Sequence, residues 1–207
     1  MPTTSDSLYE HLFPLSTVMR QRFVDNFSGG TLNERWTESE TGTGSGAMVD
    51  AVDGGYRITS GAVSGNKRIL NFNNKRQYDS ESCTFISVVT RVTSGVYTGL
   101  NDSLQTLDNA SNEAGTLNKT GASFQTALTS DSTTQSETNT DVAPDTSTRV
   151  YSGAVDASDF QLSFDGVLKV TKTTNLPIAK IQPWLMVFEQ SGTAGSADIR
   201  YMEVFNS

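Results

Sequence analysis

Apolar and polar positions alternate with a period of two along most of this chain, the pattern of strands that bury one face. In residues 23–27, Phe23, Asp25 and Phe27 fall on one side and Val24 and Asn26 on the other. Gly29-Gly30 then lets the chain reverse, and Trp36 is large enough to close the end of a core. Tyr56 and Ile58 alternate with Arg57 and Thr59, and residues 68–72 continue as a strand after the glycines at 61 and 65. Residues 83–92 form the strongest β run of the first half. Ile86, Val88 and Val92 share one face there and Phe85 and Val89 the other, which predicts a strand covered on both sides.

The last third reads most plainly. Residues 149–155 alternate, as do Phe160, Leu162 and Phe164, and Asp165-Gly166 predicts a tight hairpin into residues 167–170. Residues 184–188, Trp-Leu-Met-Val-Phe, are apolar on both faces, and residues 199–205 close the chain as a strand. Residues 122–128 alternate as one further strand. The polar stretches 101–120 and 129–148 read as long loops or weak edge strands, and loops of that length are where binding is expected. Residues 1–22 stand apart. Ser7 and Glu10 fit a capping box, Leu8, Leu12 and Leu15 follow at helical spacing, and Pro14 ends the turn near Phe13. The expected organisation is an N-terminal arm over 1–22 and one all-β domain over 23–207.

Three segments carry a resemblance. Phe23 to Trp36 has the form F-x-D-x-F-S-G followed by a tryptophan, Phe164 to Val167 holds the D-G hairpin, and Ile199 to Phe205 is a terminal I-x-Y-x-x-V-F strand. Together they resemble the concanavalin A-like lectin/glucanase superfamily, which implies an antiparallel β-sandwich of jelly-roll type with the first strand beside the last. The glucanases of that superfamily carry E-x-D-x-x-E on one strand, and the pattern is absent here. Many relatives also place an acid just before the tyrosine of the last strand, where this chain has Arg200.

Glycoside hydrolysis needs two carboxyl groups about 5 Å apart for retention or about 6.5–9.5 Å for inversion. Glu38 with Glu40 and Asp79 with Glu81 are the nearest substitutes, both in polar, turn-like surroundings, so no catalytic residue is assigned and the reading leans away from an enzyme. Calcium is the one cofactor the acids offer, through Asp50 and Asp53, through Asp156 and Asp159, or through Asp25 beside the last strand. For a sugar, Tyr97 and Tyr151, the latter flanked by Arg149, are the expected ligand-binding residues, while Trp36 and Trp184 are expected to fill the core.

A net charge of −8 argues against an electrostatic grip on nucleic acid or anionic lipid. No stretch approaches the roughly 20 apolar residues of a membrane helix. With one cysteine, Cys83, and one histidine, His11, neither a disulfide framework nor a Ser-His-Asp triad in the domain is expected. The opening residues show no secretory pattern.

Two expectations follow. The first is a non-enzymatic structural or adhesive protein, a component of a virus or phage particle found on a virion or an extracellular surface. It would assemble with copies of itself or other virion proteins through Leu8, Leu12, Phe13 and Leu15, and make glycan contacts besides. The alternative is a carbohydrate-binding or glycan-cleaving protein of the lectin/glucanase type.

Overall fold

A computed structural model describes residues 21–49, 55–103, 107 and 110–206. Fifteen strands make up all the regular structure of the described residues, and they form two antiparallel sheets packed face to face. In chain order they are β1 Arg22–Asp25, β2 Thr37–Thr41, β3 Gly44–Met48, β4 Tyr56–Ser60, β5 Lys67–Asn71, β6 Ser82–Thr93, β7 Gly95–Asn101 and β8 Asn112–Lys119. There follow β9 Thr126–Asp131, β10 Gln135–Asn139, β11 Thr148–Asp156, β12 Phe160–Phe164, β13 Val167–Lys172, β14 Gln182–Phe188 and β15 Ser196–Asn206. The eight-stranded sheet runs β13-β12-β11-β6-β15-β4-β3 with β1 also on β15, and the seven-stranded sheet runs β10-β9-β8-β7-β14-β5-β2. This is the β-sandwich of concanavalin A-like type that the resemblance implied. No described helix is long and apolar enough to cross a membrane.

Chain start and chain end meet as expected: Phe23 pairs with Val204 and Asp25 with Met202. Phe23 and Phe27 are buried while Val24 is exposed, so the alternation in this stretch reports the inward side correctly. Phe23 meets Phe72 edge-on at 4.7 Å between ring centroids and Trp36 at 5.5 Å, closing one end of the core. Each such side chain contributes about 1.5–3 kcal/mol by leaving water. Asp165 and Gly166 both have positive φ, 52° and 79°, the geometry of the tight hairpin their residue types predict.

Three expectations need correction. Residues 101–120 are not one loop, because 112–119 form β8 in the interior of the seven-stranded sheet, with β7 on one side and β9 on the other. In 129–148 the edge-strand reading holds for β10, which lies at the edge of the seven-stranded sheet, while residues 129–131 end the interior strand β9. The strand expected over 122–128 begins only at Thr126, and Phe124 is exposed in the turn before it. Finally, β6 lies between β11 and β15 but is buried on one face only. Cys83, Phe85, Ser87, Val89 and Arg91 point inward, and Ile86, Val88 and Val92 are half-exposed. The arm residues Leu8, Leu12, Phe13 and Leu15 lie outside the described residues.

Candidate functional site

Every strand of the seven-stranded sheet has an inner face against the other sheet and an outer face. Leu70, Val96, Leu100, Ala114, Ala127, Leu185 and Val187 belong to the core between the sheets. Their alternates Ile69, Tyr97, Leu117, Leu128, Trp184 and Met186 form a separate apolar cluster on the outer face, with Leu107 and Phe188 packed against it. A sheet with apolar residues on both faces has something to cover or to bind on each. Leu107 comes from the β7–β8 connection, whose neck is closed by Asn112: its backbone N–H donates to Asp102 Oδ1 and its side-chain amide to Oδ2, both at 2.9 Å.

Register places the outer residues in rows across the strands. Lys67, Phe188, Gly95 and Lys119 make one row, and Ile69, Met186, Tyr97 and Leu117 the next. A cavity of about 400 Å³ opens over them, lined by Leu117, Leu128, Met186 and Phe188 beneath and by Lys67, Lys119, Gln135 and Glu137 around. A Cβ on Gly95 would collide with the Cζ, Cε1 and Cε2 atoms of Phe188, so the phenyl group lies over Gly95 of the neighbouring strand, and the same residue lines the cavity. Here glycine is required by close approach rather than by a turn.

The carboxyl group deepest in this face is Glu113, which is fully covered. Its Oε2 accepts from Asn101 Nδ2 at 3.1 Å and its Oε1 from Gln135 Nε2. Along β8 the outward positions are Glu113, Gly115, Leu117 and Lys119, so the strand presents one acid. Gln135 and Glu137 stand on the edge strand β10, which Lys172 secures: its Nζ donates to the Ser136 carbonyl at 2.9 Å, the Ser136 hydroxyl at 2.8 Å and the Thr138 hydroxyl at 3.1 Å. Burial lowers the Lys172 pKa, with Glu137 opposing.

The residues expected to bind are placed as follows. Tyr97 does lie on the outer face, but it is fully buried. Its ring crosses Gly115, its hydroxyl donates to the Leu100 carbonyl at 2.9 Å, and it meets Trp184 edge-on at 5.4 Å. Burial, with Glu113 adding to it, raises its pKa well above the usual phenol value. Tyr151 packs between the sheets, edge-on to Phe164, and its hydroxyl donates to Gln125 Oε1 at 3.1 Å. Burial pushes that phenol up to about 12. Neither ring offers a face to a sugar. Arg149 is held between Asp145 and Asp165, which, together with their hydrogen bonds, raise its pKa. Alternation could locate these residues on strands, but it could not show which face another element covers.

Among the acids, Asp25 has both oxygens occupied, Oδ1 by the Phe27 N–H at 2.7 Å and Oδ2 by Trp36 Nε1–H at 2.8 Å. Asp50 and Asp53 lie outside the described residues. Asp156 caps its own turn through the N–H groups of Ser158 and Asp159. Glu38 and Glu40 both pair with Arg68, and Glu38 also accepts from the Tyr56 hydroxyl. Asp79 accepts from the Glu81 N–H at 3.0 Å, a turn contact. Among the described residues no group of three His, Cys, Asp or Glu is arranged to hold a metal ion. Phe188, Gln135, Lys67 and Lys119 were not singled out from the sequence; Phe188 alone carried a signal, as the end of a run apolar on both faces.

No family model matches the sequence, and no curated protein does. Solved structures do. A β-glucanase of Bacillus licheniformis is 12% identical, with 90% of this chain and 98% of that one covered and a TM-score of 0.63. A protein described as an immunostimulatory antigen and pseudo β-1,3-glucanase of Mycobacterium tuberculosis is 12% identical over 89% of this chain and 98% of that one, with a TM-score of 0.65. A Shewanella oneidensis MR-1 protein of unknown function is also 12% identical, over 100% of this chain and 95% of that one, at 0.63. At this identity the likeness is one of fold.

Proposed function

We propose that the protein binds carbohydrate on the outer face of its seven-stranded sheet and does not cleave it. The observation that carries this reading is the Phe188 ring lying across Gly95 at the base of a cavity of about 400 Å³, with Lys67 and Lys119 in its own row and Gln135 and Glu137 nearby. An apolar platform with a few polar groups around it is the composition of a small-molecule site. A phenyl face stacks on the C–H side of a sugar ring, and amides and charged groups bond its hydroxyls. The fold of glucanases, and of a relative described as a pseudo-glucanase, supports the ligand class.

Against cleavage stands the state of the acids. Glu113 is covered and its two oxygens are each held by an amide, so it does not reach a glycosidic bond. Glu137 is exposed on an edge strand. Hydrolysis requires two carboxyl groups that reach the scissile bond, and the sealed Glu113 does not serve as one of them. The expectation of a particle component drew on the arm, outside the described residues, together with the missing acid motif and the polar composition, and the fold favours the carbohydrate reading.

A glycan array followed by titration calorimetry tests the proposal, with a reducing-sugar assay on each ligand found. Binding that falls at least tenfold in Phe188→Ala, with no release of reducing ends, is the expected result. A silent array would overturn the binding, and steady release of reducing ends would overturn the absence of cleavage.

A further inference from the structure

A second cavity, of about 430 Å³, lies at the end of the sandwich where the β6–β7, β8–β9, β10–β11 and β14–β15 connections converge. Gln190 lines both cavities, so the two are neighbours. Arg91, on the inward side of β6, lines the second one and is only 7% exposed. Its Nε donates to the Asp145 carbonyl at 2.9 Å, and its Nη1 to the Ser94 carbonyl at 3.0 Å and the Thr120 hydroxyl at 2.5 Å. All three acceptors are neutral. The nearby Asp145 turns its backbone to Arg91, because its carboxylate pairs with Arg149 and accepts from the Ser147 N–H at 3.2 Å. Nη2 of Arg91 has no acceptor among the described residues.

Nη2 is not among the buried atoms left without a partner, so it opens on the cavity. An anion beside it there would offset part of the cost of burying the rest of this side chain among neutral acceptors. Burial lowers the Arg91 pKa, with Asp145 opposing. Thr146 and Ser191, both exposed, also line the cavity and place hydroxyl-bearing side chains at its rim. The cavity thus offers donors and no carboxylate of its own.

We infer that this cavity is an anion subsite, in which Arg91 Nη2 and the hydroxyls of Thr146 and Ser191 hold the carboxylate or sulfate of an acidic sugar whose neighbouring unit lies over Phe188. The inference rests on the carbohydrate reading above and narrows it to acidic glycans. At a net charge of −8 the protein as a whole does not attract such a ligand, so recognition depends on this short-range geometry.

Titration calorimetry with a galacturonic acid tetrasaccharide, a sulfated galactan tetrasaccharide, a neutral glucan tetrasaccharide and inorganic sulfate tests it. One of the acidic ligands should bind at least tenfold more tightly than the neutral one, with inorganic sulfate much weaker. Arg91→Gln should remove that advantage and leave the neutral affinity unchanged. Thr146→Glu leaves the Arg91 hydrogen bonds in place and supplies an internal carboxylate. It should abolish the preference and raise Tm, and it carries the test if Arg91→Gln fails to fold. Equal affinity for acidic and neutral ligands would overturn the inference and leave the carbohydrate reading standing. Binding of none of the glycans would overturn both. Inorganic sulfate binding as tightly as the acidic tetrasaccharides would make this a free-anion site and overturn the sugar assignment.

Discussion

The indole Nε1–H of Trp36 donates to Oδ2 of Asp25 at 2.8 Å, joining the first strand to the aromatic that closes the core. Oδ1 of the same carboxylate accepts from the Phe27 N–H at 2.7 Å and holds Phe27 at a φ of 49°, left-handed for a residue with a side chain. With Asp25→Ala both donors are left buried without a partner and that turn loses its restraint. A loss of about 3 kcal/mol is expected, read as a lower urea midpoint, with Asp25→Asn losing less.

Gly153 lies on β11 opposite Phe85, and a Cβ there would stand 2.7 Å from the Phe160 ring and nearer still to that of Phe85. Both rings are fully buried and have nowhere to move. Gly153→Ala should therefore lower stability by about 2 kcal/mol through overpacking, checked by thermal denaturation.

Asp131 accepts from the Thr133 hydroxyl and from the N–H groups of Thr134 and Thr133, which together hold its pKa down to about 2. A carboxylate depressed from an ordinary value of about 3.9 adds stability that is complete above that value and lost as pH falls through the folded one. Asp131→Asn should be slightly less stable than the wild type at pH 7. Melting curves taken from about pH 4 to about pH 2 should show the gap closing.

Cys83 is buried on the inner face of β6, and burial, with Asp79 adding to it, pushes its thiol far above the usual range. Reaction with a thiol reagent at pH 8 should be negligible in the folded protein and complete in denaturant.

Where burial on one face decides a strand, the sequence was easily read. Tyr56 and Ile58, Phe160 to Phe164 and the Asp165-Gly166 hairpin appear as their alternation and turn chemistry predict. Strand β8 was missed because Asn112-Glu-Ala-Gly-Thr-Leu-Asn-Lys119 has a loop's composition. Two of its central polar groups find their partners across strands: Glu113 with Asn101 and Gln135, and Thr116 with the Thr126 carbonyl. Those partners are 10 to 22 residues away in the chain and invisible to any local pattern.

What the amino-acid order determined alone was the succession of strands and the tight hairpin, since period-two patterning and turn chemistry are local properties. The sandwich with chain start beside chain end was what the resemblance of three segments implied. Which aromatic faces a ligand was decided by tertiary structure. Tyr97 and Phe188 stand in adjacent rows of one sheet face, yet the first is sealed and the second lines a cavity, because cover and close approach come from other strands and connections. The same holds for Arg91, whose place among neutral acceptors follows from four connections meeting at one end of the sandwich.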